Sequence, residues 1–221
     1  MLSYRKERID NAILFFAQKH HQKTKKYLSQ TFLYKYLAFF EFRYLKAAGD
    51  MPLELTYKAM ERGPVTIEIY DNRDKPDYFP KVIFESFQTK SGGTGYLIKP
   101  NGKFDPDYFA EAELEEMNNL IEIFAQQWIG AAEMSDASHQ AIRAWKKTYS
   151  HCRNAEIDPI DEFDRDITTV PENSLHTEEL KYLMHRRMAH VQHHYGRKTG
   201  TDDRPFHRTA PRIWYVILRS R

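Results

Sequence analysis

The segment from residue 30 to residue 48 constrains the fold more than any other part of the sequence. Its large apolar residues recur at intervals of three and four: Leu33, Tyr36, Leu37, Phe40 and Tyr44. This spacing places them on one face of an α-helix, which we expect to end near Gly49. The same spacing from Ile9 to Phe16 predicts a preceding amphipathic helix, separated from the second by a basic, polar stretch. At 221 residues, the chain is expected to have one dominant core.

The middle of the chain adds a hairpin and further helices. Residues 81–100 read as two short strands around a turn that holds Gly92, Gly93 and Gly95. A third helix with an acidic first turn is predicted from Leu114 to Trp128, followed by two short helical pieces in residues 131–149. The predicted fold class is therefore mainly α with a small antiparallel β-hairpin or sheet, that is, α+β.

A Gly-Pro pair at positions 63 and 64 leaves the next segment ambiguous. Val65, Ile67 and Ile69 alternate with polar residues, which is the period of a strand. Pro after Gly is also typical of the first turn of a helix, where no N–H is needed. The pattern alone favours the strand.

The C-terminal third differs in composition. Residues 154–174 are acidic, hold two prolines and show no apolar period, so we interpret them as a linker or surface loop. The predicted organisation is a core domain in residues 1–150, an acidic loop in 151–176, and a helix-strand extension in 177–221. One alternative is that the final strand docks beside the hairpin and completes the core. The other is that residues 151–221 contact a partner, and both can hold if the strand docks while the acidic loop makes the contact.

Charge is distributed unevenly although the net charge is only +2. Residues 1–46 hold 10 Lys and Arg against 3 Asp and Glu, whereas residues 105–180 hold 5 against 18. Residues 181–221 are again basic, with 10 against 2. Such polarity suits nucleic acid, an oppositely charged protein, or two faces that attract each other.

Composition also excludes several classes. No stretch approaches the roughly 18 apolar residues of a membrane span, and the first 20 residues lack the pattern of an export signal. The single cysteine, Cys152, excludes an internal disulfide and a cysteine-rich zinc site. We expect a cytoplasmic protein that does not enter a membrane.

The sequence evidence for catalytic and metal-binding residues is weak. His190 and His194 have zinc-helix spacing, but the sequence fixes no third ligand. The neighbours His151 and Cys152 point to different sides of an element, as do Ser138 and His139, so neither pair suits nucleophilic catalysis. We expect no catalytic residue, no metal and no cofactor, and hence a protein that is not an enzyme.

Two basic runs, residues 19–26 and 197–208, have the charge for nucleic acid but no accompanying recognition motif. Nucleic acid is thus possible but is not the partner we expect.

Three blocks, read together, resemble the Panacea domain, the family of SocA-type antitoxins from bacterial and phage toxin–antitoxin pairs. They are TFLYKYLAFFEFRYLKAAGDMPLE, AMERGPVTIEIY and MSDASHQAIRAW. The order and spacing agree over residues 5–150, and the region beyond has no counterpart. The structural residues of the resembling motifs are Gly63, Pro64, Val65, Tyr70, Ser138, His139 and Trp145.

The resemblance implies a helix that starts at the Gly-Pro pair. Gly63 would be the N-cap and Pro64 the first helical residue, with Val65, Ile69 and Tyr70 on the buried face. His139 would have a structural role, its ring bonded to nearby backbone, and Trp145 would anchor the last core helices.

The resemblance also implies an antitoxin that neutralises, by direct binding, a cognate toxin encoded beside it. The C-terminal third supplies the candidate contact residues, which are Glu162, Phe163, Asp164, Asp166, Ile167 and Arg186. Two alternatives remain open, a DNA-binding regulator that uses the basic ends and an adaptor that delivers a toxin to a protease.

Overall fold

A computed structural model of the chain describes residues 4–90 and 92–163. Its helices are α1 (Arg5–Thr24), α2 (Gln30–Ala48), α3 (Ile67–Asn72), α4 (Glu111–Phe124), α5 (Ala131–Ala141) and α6 (Arg143–His151). Its strands are β1 (Leu28–Ser29), β2 (Tyr57–Met60), β3 (Gly63–Thr66), β4 (Val82–Gln88) and β5 (Thr94–Pro100). Short 3₁₀ turns cover Pro106–Tyr108 and Pro159–Glu162. The expected class, mainly α with a small antiparallel sheet, is confirmed.

Helix α2 lies at the centre of the core. Residues 32–42 of this helix are all buried, because α1, α4, α5 and β3 pack around it. The Ser29 hydroxyl accepts a hydrogen bond from the Phe32 N–H, and Gly49 ends the helix with a left-handed φ of +71°. Both long helices and the end at Gly49 agree with the sequence prediction.

The predicted hairpin forms a three-stranded antiparallel sheet in the order β1-β5-β4. Val82 pairs with Pro100 at one end and Gln88 with Thr94 at the other. Thr89 and Gly93 close the turn, since the Thr89 N–H donates to the Gly93 carbonyl at 2.8 Å. The sheet packs on α1 and α2.

The prediction that a helix starts at the Gly-Pro pair is wrong, and the strand indicated by the pattern alone is correct only as far as Thr66, because Ile67 and Ile69 lie in α3. Gly63 and Pro64 lie in β3, which pairs antiparallel with β2, and the helix starts three residues later, at Ile67. Pro64 lies opposite Ala59, whose N–H and carbonyl bond away from β3, to Ala155 and Asn154. In an antiparallel pair such a position requires no N–H from the partner strand, so proline is tolerated there.

The third long helix is shorter than predicted. It ends at Phe124, and Trp128 lies beyond it with 76% of its surface exposed. A new helix starts after Gly130, whose N–H donates to the Glu133 carboxylate at 2.9 Å. The helical period does not continue to Trp128 because the backbone leaves the helical region at Ala125, with φ −81° and ψ 61°.

The prediction of a surface loop over residues 154–174 is wrong for its first part, which ends at Phe163. The Ile157 N–H donates to the Tyr57 carbonyl at 2.8 Å, and Lys58 forms a β-bridge with Glu156, so this stretch extends the β2-β3 pair. Ile157 and Phe163 are buried in the core. The packed body therefore continues past residue 150. The rest of the predicted loop and the extension in 177–221 lie outside the described residues.

Candidate functional site

The three sequence blocks meet at one buried place. We define the Lys35 junction as Lys35 of α2, Gly63 and Pro64 of β3, Ser138 of α5 and Trp145 of α6. Lys35 Nζ donates to the Pro64 carbonyl at 3.0 Å. The junction brings together residues of the first, second and third blocks, which are about a hundred positions apart along the chain.

Lys35 is the unusual residue of the junction. It is only 1% exposed, and burial lowers the pKa of its amine from 10.5 to about 7. The cause is desolvation, which disfavours the charged form. At neutral pH the amine is therefore near the midpoint of its titration.

Gly63 allows these groups to approach the backbone. It has a left-handed φ of +98°, which side chains rarely adopt. A Cβ at this position would lie 2.4 Å from Ser138 Oγ and 2.9 Å from Lys35 Nζ. Ser138 is buried and donates its hydroxyl proton to the Ser135 carbonyl at 2.7 Å. Glycine is thus required here for both conformation and space.

An aromatic stack covers the junction from the α5 and α6 side. The rings of His139 and Trp145 are parallel, with centroids 4.1 Å apart, and Tyr149 stacks on Trp145 at 4.8 Å. The indole N–H donates to the Met60 carbonyl at 3.1 Å, which ties α6 to β2. Trp145 is buried, whereas His139 is half-buried.

The pKa of the His139 ring depends in part on the Lys35 junction. Burial and the nearby Lys35 charge lower its pKa, and the carboxylate of Asp136 and a hydrogen bond with the Glu61 backbone oppose that shift. Its Nε2 atom has no hydrogen-bond partner among the described residues. The sequence prediction that His139 serves structure rather than partner contact stays a prediction.

The junction holds groups with reactive potential but no access. A partly neutral amine is a general base, and a serine hydroxyl is a group that such a base activates as a nucleophile. Lys35 and Ser138 are both sealed from solvent. What the arrangement can do is fix α2, β3, α5 and α6 relative to one another.

Val65 and Tyr70 do not share a buried face, contrary to the expectation from the resemblance. Val65 is half-buried and Tyr70 is exposed. The reason is that the chain changes from strand to helix between them, which breaks a common helical face. Tyr70 instead packs against Arg73, whose guanidinium Cζ lies 3.8 Å from the centroid of the Tyr70 ring.

Two of the candidate partner-contact residues are buried. Glu162 is 1% and Phe163 is 0% exposed, so neither is available as a surface anchor. A Glu162 carboxylate oxygen accepts a hydrogen bond from the Ala144 N–H at 3.0 Å, at the start of α6. The remaining candidates, Asp164, Asp166, Ile167 and Arg186, lie outside the described residues, as do His190 and His194.

Sequence reasoning missed Lys35 and the true role of Glu162. A signal for Lys35 was present, because it is the single lysine among the apolar residues 32–40. For Glu162 there was none, since its capped helix starts 19 positions earlier at Arg143 and only folding brings them together.

The described residues contain no group of three or more histidine, cysteine, aspartate and glutamate side chains placed to hold a metal ion. None of the helices in the described part is both long and apolar enough to cross a membrane. Comparison of the chain with family models, with curated proteins and with solved structures gives no match.

Proposed function

We propose that this protein is a cytoplasmic antitoxin that neutralises a toxin, encoded beside it, by direct binding and without catalysis. The observation that supports this proposal is the resemblance of the three blocks to the Panacea domain. Residues of all three blocks lie at the Lys35 junction, which gives the blocks a shared physical reason to occur together.

The proposed mechanism is occlusion of the surface that the toxin uses. Occlusion requires a complementary, pre-organised face and a buried anchor, not reactive groups. The sealed state of Lys35 and Ser138 is compatible with that role. Toxins that act on RNA present basic surfaces, for which the acidic residues after Phe163 offer complementary charge.

The test is co-expression with the small open reading frame next to the gene. We expect that frame alone to arrest growth, and the two proteins together to restore growth and to co-elute in size-exclusion chromatography. Replacing Asp164 and Asp166 by Asn should slow association and weaken its salt dependence, because it removes charge without a change in shape. The matched control replaces the exposed Asp71 and Asp77 by Asn.

Three other results would contradict the proposal in different ways. Absence of a toxic neighbour, or growth arrest that this protein does not relieve, would reject the antitoxin. Loss of the toxin only when a cellular protease is present would favour the adaptor. Tight duplex DNA binding that falls steeply with salt would favour the regulator.

A further inference from the structure

A basic and aromatic surface lies at the end of the molecule where α1 and α4 finish. We define the Lys26–Trp128 surface as Lys25, Lys26 and Tyr27, which follow α1, together with Gln127 and Trp128, which follow α4. All five side chains are exposed, and Trp128 is the most exposed large apolar residue of the described part.

The two halves of this surface border one cleft of about 240 Å³. Lys26 and Tyr27 line one side, and Gln126, Gln127 and Ile129 line the other. Trp128 lies in the chain between Gln127 and Ile129, which both line the cleft, and its own side chain is exposed.

The charge of this region is positive. Lys19, Lys25 and Lys26 are exposed. Two carboxylates border the region, and both are engaged: Glu122 pairs with Lys23 at 2.5 Å, and Glu133 accepts the Gly130 N–H. An anionic ligand would thus meet lysines without a competing free carboxylate from these two residues.

The two aromatic rings of the surface differ in their environment. Tyr27 is held rigid, because His21 stacks on it at 4.6 Å and Lys99 Nζ lies 5.2 Å from its ring centroid. Trp128 has no aromatic or cationic partner among the described residues, so its indole plane is open to a ligand. An exposed indole and exposed lysines, on two segments that border the same cleft, are a combination on which single-stranded nucleic acids bind, bases by stacking and phosphates by charge.

We infer that the Lys26–Trp128 surface binds single-stranded nucleic acid, with one base stacked on Trp128 and the adjacent phosphates held by Lys25 and Lys26. A duplex fits less well, because its base planes are covered by stacking and cannot reach an indole. The Gln126 and Gln127 amides, which line the cleft, have both donors and acceptors for a base edge. This activity is separate from the proposed antitoxin function and does not depend on it.

The experiment measures binding of the full chain to a fluorescein-labelled oligo(dT) of about 15 nucleotides by fluorescence anisotropy. Trp128→Ala should weaken binding about tenfold, the typical loss for one stacked base. Replacing Lys25 and Lys26 together by Gln should reduce the slope of log affinity against log salt by about 1.4, which corresponds to two phosphate contacts on a single strand.

Matched controls separate this surface from general charge and exposed aromatic area. Tyr4→Ala removes another exposed ring, and Lys58→Gln with Lys146→Gln removes two exposed lysines on β2 and α6. These variants should bind like the wild type. Circular dichroism melting verifies that every variant is folded.

Each remaining outcome overturns the inference. One is no binding of oligo(dT) at about 50 mM salt, where such contacts are strongest. Another is equal weakening by the control variants. A third is competition by poly-glutamate or by duplex DNA as effective as that by unlabelled oligo(dT), which would indicate a site for acidic proteins or for polyanions in general.

Discussion

Individual residues in this core have ionisation states that the surrounding fold determines. Lys35 is buried beside the Pro64 carbonyl, and its amine is close to half-protonated at neutral pH because desolvation disfavours the charge. A buried amine of this kind makes stability depend on pH. In the unfolded chain the same group titrates near 10.5.

Lys35→Met should therefore stabilise the protein more at pH 6 than at pH 9. As the pH falls from 9 towards 7, the unfolded chain holds a proton that the folded chain does not, so the wild type loses stability. The variant lacks this loss, so its gain in free energy of unfolding over the wild type should be about 3 kcal/mol larger at pH 6 than at pH 9. Urea unfolding at both pH values measures it.

The cost of an unpaired Pro64 carbonyl applies at every pH and cancels from that comparison. An equal effect of Lys35→Met at pH 6 and pH 9 would show that Lys35 keeps its ordinary pKa in the folded protein.

Trp145→Ala should destabilise the protein by about 3–5 kcal/mol, since it removes a buried indole stacked between His139 and Tyr149. Trp145→Phe is the control: it retains an aromatic ring and loses mainly the bond to the Met60 carbonyl, at about 1 kcal/mol. Chemical denaturation measures both. An unchanged midpoint for the alanine variant would mean that the stack is peripheral to stability.

At the scale of elements, one segment of the chain completes another that is distant in sequence. Helix α6 starts without a side-chain cap of its own, and Glu162 supplies an acceptor to its first turn from the following 3₁₀ turn. The same carboxylate lies 3.9 Å from Lys46 Nζ of α2. Burial raises the pKa of Glu162 from 4.5 to about 7, and the helix N-terminus and the cations Lys46 and Arg143 only partly offset this.

Glu162→Gln should stabilise the protein, relative to the wild type, more at pH 8 than at pH 5. Between these values the unfolded chain releases a proton that folded Glu162 retains up to about pH 7, so the wild type becomes less stable as the pH rises. Gln still accepts the Ala144 N–H but does not ionise. We expect the gain at pH 8 to exceed that at pH 5 by about 2–3 kcal/mol in thermal or urea unfolding.

Glu162→Ala provides the comparison, because it does not ionise either but lacks the acceptor, and it should be less stable than Glu162→Gln by about 1 kcal/mol at both pH values. A gain for Glu162→Gln that is the same at pH 5 and pH 8 would place the pKa of Glu162 near its ordinary value.

At the scale of the whole molecule, the described residues form a packed body that extends to Phe163. Ile157 and Phe163 contribute to the same core as α2, and the 154–157 stretch bonds to β2. The acidic composition of residues 154–163 therefore conceals three buried side chains, Ile157, Glu162 and Phe163. The boundary of the stable unit thus lies beyond residue 150.

A chain that ends at Phe163 should unfold cooperatively, whereas a chain that ends at His151 should not. The shorter chain lacks Ile157, Phe163 and the Glu162 cap, and the loss of two large buried side chains alone costs several kcal/mol. Circular dichroism melting of the two truncations measures the difference. If the chain ending at Phe163 is unfolded while the full chain is folded, residues 164–221 are needed for stability, as the prediction of a final strand that completes the core requires.

The sequence by itself determined the local structure wherever one period dominates. The apolar spacing of α1 and α2, the end at Gly49 and the glycine-rich hairpin turn are all encoded within a few residues, by side-chain periodicity and by backbone freedom. The alternation of Val65, Ile67 and Ile69 indicated a strand that is present only as far as Thr66, since Ile67 and Ile69 lie in α3. The helical start implied by the resemblance was wrong because local pairing with β2, not the Gly-Pro signal, decides the conformation.

Only the tertiary structure decided which polar residues are buried and what they touch. Lys35 lies against β3, Glu162 caps α6, and Phe163 enters the core, through contacts between residues far apart in the chain. Trp128 is the opposite case, a large apolar residue that is exposed and lies outside α4, which ends at Phe124. Whether a residue is buried depends on which distant segments of the chain pack against it. The sequence pattern of charged and aromatic residues does not contain that information.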